Sequence, residues 1–299
     1  MRVAVTGWSA HLPGLPAATT LGGWAPGSAC LPENAAQLLG RRGLLSKEPA
    51  TRLALCAVHR ALRLPTGARR STDTPPDPTT AVVASSNLGN VGTISAIATA
   101  LRDEGFRAVS PLDAPNVSSN VIAAAVAIWF GYGGPNLMVC SGHPSGLDAI
   151  ALGALLLVSG RAHRVVVVGA EPDDLAAAAL LRADPHAGPP LRQAAACAVL
   201  EPAEETAAVV LEPVKPVTAS QLPQDSPDAL MIAPSELSSR PDVIDLSTQI
   251  GHTYGALGVL QVAVAAAILA RRRGIARIVC GDTNDGYRTT RVTCRTEPA

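Results

Sequence analysis

This sequence is short of charge. Of its 299 residues 16% are charged, and 24 Lys+Arg balance 24 Asp+Glu, so the net charge is zero with His neutral. A chain without a basic excess lacks the footprint of a nucleic-acid binder. It also lacks the bulk attraction to acidic membranes, so neither nucleic acid nor membrane is expected as a partner. Weak self-repulsion is compatible with a protein partner or a homo-oligomer. Lysine is almost missing, with only Lys47 and Lys215. No two of the six cysteines (Cys30, Cys56, Cys140, Cys197, Cys280, Cys294) stand at CxxC spacing, and His11, His59, His163 and His186 have no ligand-like spacing. No metal and no cofactor is therefore expected, and the thiols read as reduced, in a cytoplasmic protein. Cys280 and Cys294 are spaced to face each other across a terminal hairpin, although spacing alone shows no bond. No short-period repeat is present. The N-terminus has no export-leader pattern. The most apolar segments, 121–130 and 259–270, reach about half a membrane span and read as buried helices.

What is present is apolar residue, 47% of the chain, in short runs between turn signals. The length admits two ordinary domains or one large α/β domain. Apolar runs at 3–6, 80–84, 137–140 and 165–168 read as buried strands. Helical spacing predicts helices over 49–62, 93–101, 119–130 and 147–159, the last apolar nearly all round and so sandwiched between layers. Segments 12–30 and 65–79, rich in Gly, Pro and Thr or in Pro, Asp and Thr, read as loops. Further on, 194–200 and 207–211 are strand-like and suited to a hairpin, 213–241 carries little periodicity, and 243–246 reads as a short strand. An apolar helix at 259–270 precedes strands 275–280 and 289–293, joined through Asn284-Asp285-Gly286, a turn signal. Alternating strands and apolar helices predict α/β layers with parallel strands covered on both faces. The order strand, turn, buried helix, strand occurs in 137–169 and again in 243–280.

Two turns carry candidate chemistry. In Cys140-Ser141-Gly142-His143-Pro144-Ser145-Gly146-Leu147 a strand stops at a tight turn and enters a buried helix. Such an elbow presents a side chain at a helix N-terminus, where free N–H groups favour negative charge, as a nucleophile or an oxyanion site needs. Gly251-His252-Thr253-Tyr254-Gly255-Ala256-Leu257-Gly258 is a second such turn. His143 reads either as a general base or as a plug of the pocket, and His252 either as a carbonyl-polarising donor or as a tie between loops. Cys140 and Ser145 are weaker nucleophile candidates. Asp148 reads as a helix cap or local ion pair, Glu171-Pro172-Asp173-Asp174 as a solvated loop and helix start, and Asn87-Leu88-Gly89-Asn90 as a turn or, alternatively, as the lining of a pocket or an interface.

The ordered set resembles the β-ketoacyl synthases, which have the thiolase fold and join acyl chains. Val3-Ala4-Val5-Thr6-Gly7 resembles the family's opening strand, and 52–62 its early helix. Pro115-Asn116 and Asn120 resemble the region before the nucleophile elbow, followed in order by Gly134-Pro135-Asn136, Ser145-Gly146-Leu147-Asp148-Ala149-Ile150 and Ser159-Gly160-Arg161-Ala162. Ala194 to Glu201 resembles the strand opening the second half, and Gly251-His252-Thr253 the second catalytic-histidine motif. The resemblance implies layered α-β-α-β-α architecture in two related halves, 1–172 and 190–299, the second truncated.

The departures carry the functional expectation. The family's nucleophilic Cys lies three residues before the Gly that opens the buried helix. Here that seat holds His143, with Cys140 three residues earlier, up to ~10 Å along extended chain. No His stands between 203 and 247, so the family's first catalytic His is absent, and Ser247 occupies the place of its Lys. The gatekeeper loop is represented by Gly281-Asp282-Thr283-Asn284. The resemblance thus implies a non-condensing subunit of a type II polyketide or fatty-acid system. It would pair with a complete ketosynthase, or with itself, and shape an acyl pocket that includes Cys140, Ser145, Asn116, Asn120 and Ser247. An acyl carrier protein and its acyl thioester are the implied partners. The alternative is an enzyme on acyl-carrier-protein thioesters with His143 and His252 as acid and base. A third reading is a binding module without chemistry, with Arg161, Arg164 and Arg271 to Arg273 meeting an acidic carrier.

Overall fold

The computed structural model describes residues 2–70, 73–183, 190–204, 208–221, 229–238 and 240–294. His186 lies outside the described residues, as does part of the segment 213–241. The strands are β1 (Val3–His11), β2 (Thr80–Ser85), β3 (Asn136–Val139), β4 (Arg164–Glu171), β5 (Ala194–Pro202), β6 (Val209–Leu211), β7 (Lys215–Val217), β8 (Leu230–Ile232), β9 (Gly274–Asp282) and β10 (Gly286–Cys294). The helices are α1 (Ala36–Leu39), α2 (Pro49–Ala61), α3 (Val91–Asp103), α4 (Val121–Phe130), α5 (Ser145–Val158), α6 (Leu175–Ala183), α7 (Leu246–Ile250) and α8 (Leu257–Arg272).

All strands join one mixed sheet in the order β3-β2-β4-β5-β1-β6-β10-β9-β8, with β7 added on β10. Parallel pairing of β2 with β3 and β4 needs crossovers, which α4 and α5 supply. β4–β5 and β5–β1 are antiparallel. The same scheme returns in β8–β9 parallel, β9–β10 antiparallel and β10–β6 antiparallel. The two segments therefore repeat one topology, and among the described residues the second has no counterpart of β3. This is the form the expected truncation takes.

Several local expectations change. Strands β5 and β6 form no hairpin, because β1 lies between them and pairs with both. β5 does not open the second segment; it pairs with β4 and β1 inside the first, and the seam falls between β1 and β6. Residues 243–246 are not a strand. Ile244 makes one isolated bridge to Ile232, and Asp245 caps α7 through Thr248 N at 3.1 Å. Cys280 and Cys294 do not face each other. In the β9–β10 register Cys280 sits opposite Arg288 and Cys294 opposite Gly274, and both thiols are free.

Alternation along the strands feeds two cores. Val165 and Val167 face α5 and α8, with Ala196, Ala198, Ile278 and Val292. Val166 and Val168 face α2 and α4, with Val82, Ala84 and Cys197. The outer face of the second segment has a small third cluster, Met231, Ala233, Val279 and Tyr287, covered by Val217, Leu237 and Val243 rather than by a long helix. Tyr254–Arg272 is by length and composition apolar enough to cross a membrane, with mean hydropathy 1.6, but 83% of it is buried inside the protein. It is a core helix. α5 is not sandwiched along its whole length, since Leu155 and Val158 stay exposed beside an open apolar cavity of about 410 Å³.

Helices α5 and α8 touch backbone to backbone at their first turns. A Cβ on Gly146 would lie 2.7 Å from the amide nitrogens of both Gly258 and Val259. Neither backbone can yield, so glycine is required on both helices. This crossing brings the two candidate elbows together.

Candidate functional site

His143 stands in the turn before α5, and His252 in the turn before α8. Their rings stack with centroids 4.9 Å apart and an interplanar angle of 18°. Tyr254 closes the cluster, 4.8 Å from His143 edge-on and 5.2 Å from His252. Tyr254 holds φ at 38°, an uncommon left-handed conformation for a side chain of this size. Outliers of this kind gather at functional sites.

Two carboxylates orient His143. Its Nδ1 lies 2.8 Å from Asp282 Oδ2 and 3.2 Å from Asp285 Oδ2, and its backbone N–H donates to Asp285 Oδ2 at 2.8 Å. Asp282 is itself fixed, its Oδ1 accepting the amides of Asn284 and Asp285 at 2.9 and 2.7 Å. Gly142, at φ 76°, leaves space that a Cβ would take from the Asp285 carboxylate. His143 Nδ1 and one oxygen of each aspartate also form a three-donor cluster within 4.8 Å, the group here able to hold a cation.

His252 is 3% exposed, and neither ring nitrogen has a hydrogen-bond partner. Burial, and then the neighbouring His143, lower its pKa to about 4, against a weaker opposing pull from Asp282. Near neutral pH it is an uncharged imidazole.

A buried carboxyl ties the loops of the site. Glu171, at the end of β4, is fully buried and accepts from Ser86 Oγ (3.0 Å), Asn87 N (2.6 Å), Leu88 N (3.1 Å) and Gly255 N (3.1 Å). Burial raises its pKa to about 7 despite those donors. Asn87 extends the network. Its side-chain amide donates to Gly142 O at 2.9 Å, and its Oδ1 accepts Gly142 N at 3.1 Å. The expectation of a solvated loop fails for Glu171 and holds for exposed Asp173, while Asp174 caps α6 through the amides of Ala176 and Ala177. A lone Glu at a strand end gave no sequence signal of burial; only the layer above it shows why it is dry.

Of the predicted site residues, the fold brings His143, His252 and Ser145 together. Ser145 is fully buried; its Oγ accepts Ser141 N at 2.8 Å and lies 2.6 Å from Gly142 O and 3.0 Å from Asn87 Oδ1. That hydroxyl braces the elbow. Cys140 is exposed at the end of β3, its thiol pKa pushed up by desolvation and then Glu171. Asn116 is buried against Ser46, donating to its carbonyl at 2.8 Å, and Asn120 bonds Asn136 Oδ1 at 2.9 Å. These two asparagines hold loops near α4 and β3. Ser247 sits in α7, where its carbonyl accepts Gly251 N at 3.0 Å. Asp148 is no cap; it pairs with Arg288 of β10 at 2.7 Å and accepts from Ser141 Oγ at 2.7 Å. The sequence reading missed Glu171, Asp282, Asp285, Tyr254 and Arg288 as members, and offered the Asn87 segment only as an alternative to a plain turn. The turn containing Asp282 and Asp285 was visible, but not its approach to position 143, 139 residues or more away.

The strand order, its repetition and the two crossing helices define a thiolase-like fold of the ketosynthase type. The model of the β-ketoacyl synthase N-terminal domain matches residues 16–188, more than half of the chain, and the chain belongs to that family. A 3-oxoacyl-[acyl-carrier-protein] synthase 2 from Vibrio harveyi is 33% identical over 90 residues. That match takes in 30% of this chain and 22% of the Vibrio protein. Among solved structures, the ishigamide ketosynthase/chain length factor aligns with a TM-score of 0.73 at 21% identity, over 99% of this chain and 100% of that one. A type II polyketide synthase ketosynthase complex, holding an acyl-carrier protein and the hexaketide, gives 0.74 at 15% identity over 98% and 99%. A β-ketoacyl synthase from Burkholderia phymatum STM815 gives 0.66 at 16% over 99% and 100%.

Proposed function

We propose that this chain is a non-condensing ketosynthase-like subunit that pairs with a complete ketosynthase and shapes its acyl pocket. The observation that carries this reading is the occupant of the nucleophile seat. His143 is there, braced by two aspartates and stacked on His252, and residues 141–145 include no cysteine. Condensation needs a thiolate to carry the acyl chain. The nearby Cys280 is buried, its S–H given to His143 O at 3.3 Å and its pKa pushed up to about 12 by burial. Cys140 is exposed beyond the elbow.

The surface supports pairing. β3 ends the sheet with one free edge, and an unpaired edge invites a second chain. Around it Ile128 (79% exposed) and Leu137 stand out, and α3 buries none of its residues. A solvent-facing α3 with exposed Ile94 and Leu101 is covered in this reading by the partner ketosynthase. The structural neighbours include a protein described as a ketosynthase/chain length factor and a ketosynthase with its acyl-carrier protein. The acyl carrier protein is thus the carrier assigned to the pair, and Arg161 and Arg271 to Arg273 are exposed to meet its acids, whereas Arg164 is engaged with Glu201 at 2.6 Å.

The test is co-expression with ketosynthases of type II systems and measurement of the mass of the purified complex. A one-to-one complex is expected, with Ile128→Asp breaking it while this chain stays folded. A chain that stays monomeric with every ketosynthase offered overturns the reading, as does malonyl-dependent chain extension by this chain alone.

A second reading has its own observation. A neutral, buried His252 beside an aspartate-oriented His143 is an acid–base pair suited to acyl-thioester chemistry such as hydrolysis, transfer, dehydration or isomerisation. Acyl-carrier thioesters would then change mass with this chain alone, and His143→Ala and His252→Ala would each stop the change.

A further inference from the structure

A second cluster lies in the other core layer, beside α2. His11 ends β1, Cys30 follows in the long loop, and Cys56 is in the middle of α2. Sequence separations of 19 and 26 residues hid the grouping. In the fold one ring nitrogen of His11, Cys30 Sγ and Cys56 Sγ all lie within 4.8 Å of one another. His11 and Cys56 are each 1% exposed, and Cys30 is half-buried.

We propose that His11, Cys30 and Cys56 bind one soft divalent cation, zinc in the first place, with water in the fourth position. Two sulfurs and one imidazole form a donor set that suits zinc and excludes the hard, oxygen-seeking cations. With Zn–S near ~2.3 Å and Zn–N near ~2.0 Å, ligands of a tetrahedral ion sit within ~4 Å of each other, so small side-chain shifts close the site. His11 already turns one nitrogen toward the sulfurs. Its Nε2 is 2.9 Å from the Cys30 carbonyl and 3.8 Å from Cys30 Sγ, while Nδ1 is buried without a partner. Nε2 is the nitrogen that faces the Cys30 sulfur, and on binding it exchanges the Cys30 carbonyl for the ion.

An entry path and a fourth position are present. Cys30 and His11 line a cavity of about 180 Å³ with Ser28, Gln37 and Arg60. Arg60 is held by the Ala10 carbonyl at 3.1 Å and by the Ser28 carbonyl. Binding releases the protons of the two thiols to solvent. Two thiolates then neutralise the dication, so Arg60 faces a neutral centre rather than a second cation.

The test uses the whole chain, reduced and metal-free, titrated with Co²⁺ and then Zn²⁺. One Co²⁺ per chain and a thiolate-to-cobalt charge-transfer band in the near ultraviolet are expected, with Zn²⁺ bleaching the band. Cys30→Ser should remove the band and weaken Zn²⁺ by more than the ~100-fold that loss of a supporting partner costs. Cys56→Ser should do the same. His143→Ala should leave the band intact, because a cation held by His143, Asp282 and Asp285 has no sulfur ligand. A folded wild-type chain without the band overturns the proposal, and so does a band that survives Cys30→Ser. Cys30 is half-buried, so its serine variant decides the matter even where Cys56→Ser fails to fold.

Discussion

Glu171 and His252 give the stability of this protein two opposed pH slopes in one window. The carboxyl of Glu171 has its pKa raised by burial from 4.5 to about 7. Between those values the folded chain holds a proton that the unfolded chain has lost. Its contribution is therefore complete below pH 4.5 and disappears as pH rises through 7. The rise from 4.5 to about 7, at ~1.36 kcal/mol for each tenfold change in proton affinity, amounts to a loss of about 3 kcal/mol. His252 has the opposite sign. Burial, and then His143, lower its pKa from 6.5 to about 4, so the unfolded chain binds the extra proton. Its contribution is complete above pH 6.5 and is lost as pH falls through 4, again about 3 kcal/mol. Neither group is solvent-screened, at 0% and 3% exposure.

Single variants separate the two limbs. Glu171→Gln does not titrate, so its stability relative to wild type should climb by about 3 kcal/mol from pH 4.5 to 7, whatever constant cost the amide adds. His252→Asn should show the mirror image, its relative stability falling across pH 4 to 6.5. Urea denaturation at half-unit steps from pH 4 to 8 measures both, read as differences from wild type so that other groups cancel. One such group is Glu48, whose carboxyl is also raised to about 7 by burial. Variant curves parallel to wild type would refute the account, because they would mean that Glu171 is wet or that His252 is charged.

Three further outcomes follow from contacts already described. Gly146→Ala should destabilise by ~1–3 kcal/mol, the cost of overpacking where backbone meets backbone, and lower Tm by several degrees. Calorimetry checks it, and Gly146→Ala combined with Gly258→Ala should cost less than the sum because both act at one contact. Asn87→Ala leaves the Gly142 amide without its partner, while the Gly142 carbonyl still accepts from Ser145, and ~1–2 kcal/mol should be lost. Faster hydrogen exchange at Gly142 should report it. Cys140→Ser should leave both pairing with a ketosynthase and the absence of self-acylation unchanged, followed by light scattering and intact mass.

Periodicity and turn chemistry are local, and residues alone carried them. The strands at 80–84 and 165–168, the helices from 147 and 259, and the 284–286 turn were legible because an alternating or 3.6-residue pattern needs no distant partner to be seen. The turn that carries His143 was legible as well, since a Gly-containing stretch between an apolar strand and an apolar helix is a matter of sequence. Partners were not legible. Only tertiary structure set β1 between β5 and β6, because pairing depends on which edges meet and not on order along the chain. It alone dried Glu171, brought Asp282 and Asp285 to His143, stacked His143 on His252 across a crossing that two glycines allow, and gathered His11, Cys30 and Cys56. Desolvation and short-range contact act through space, and they reach residues that the sequence holds far apart.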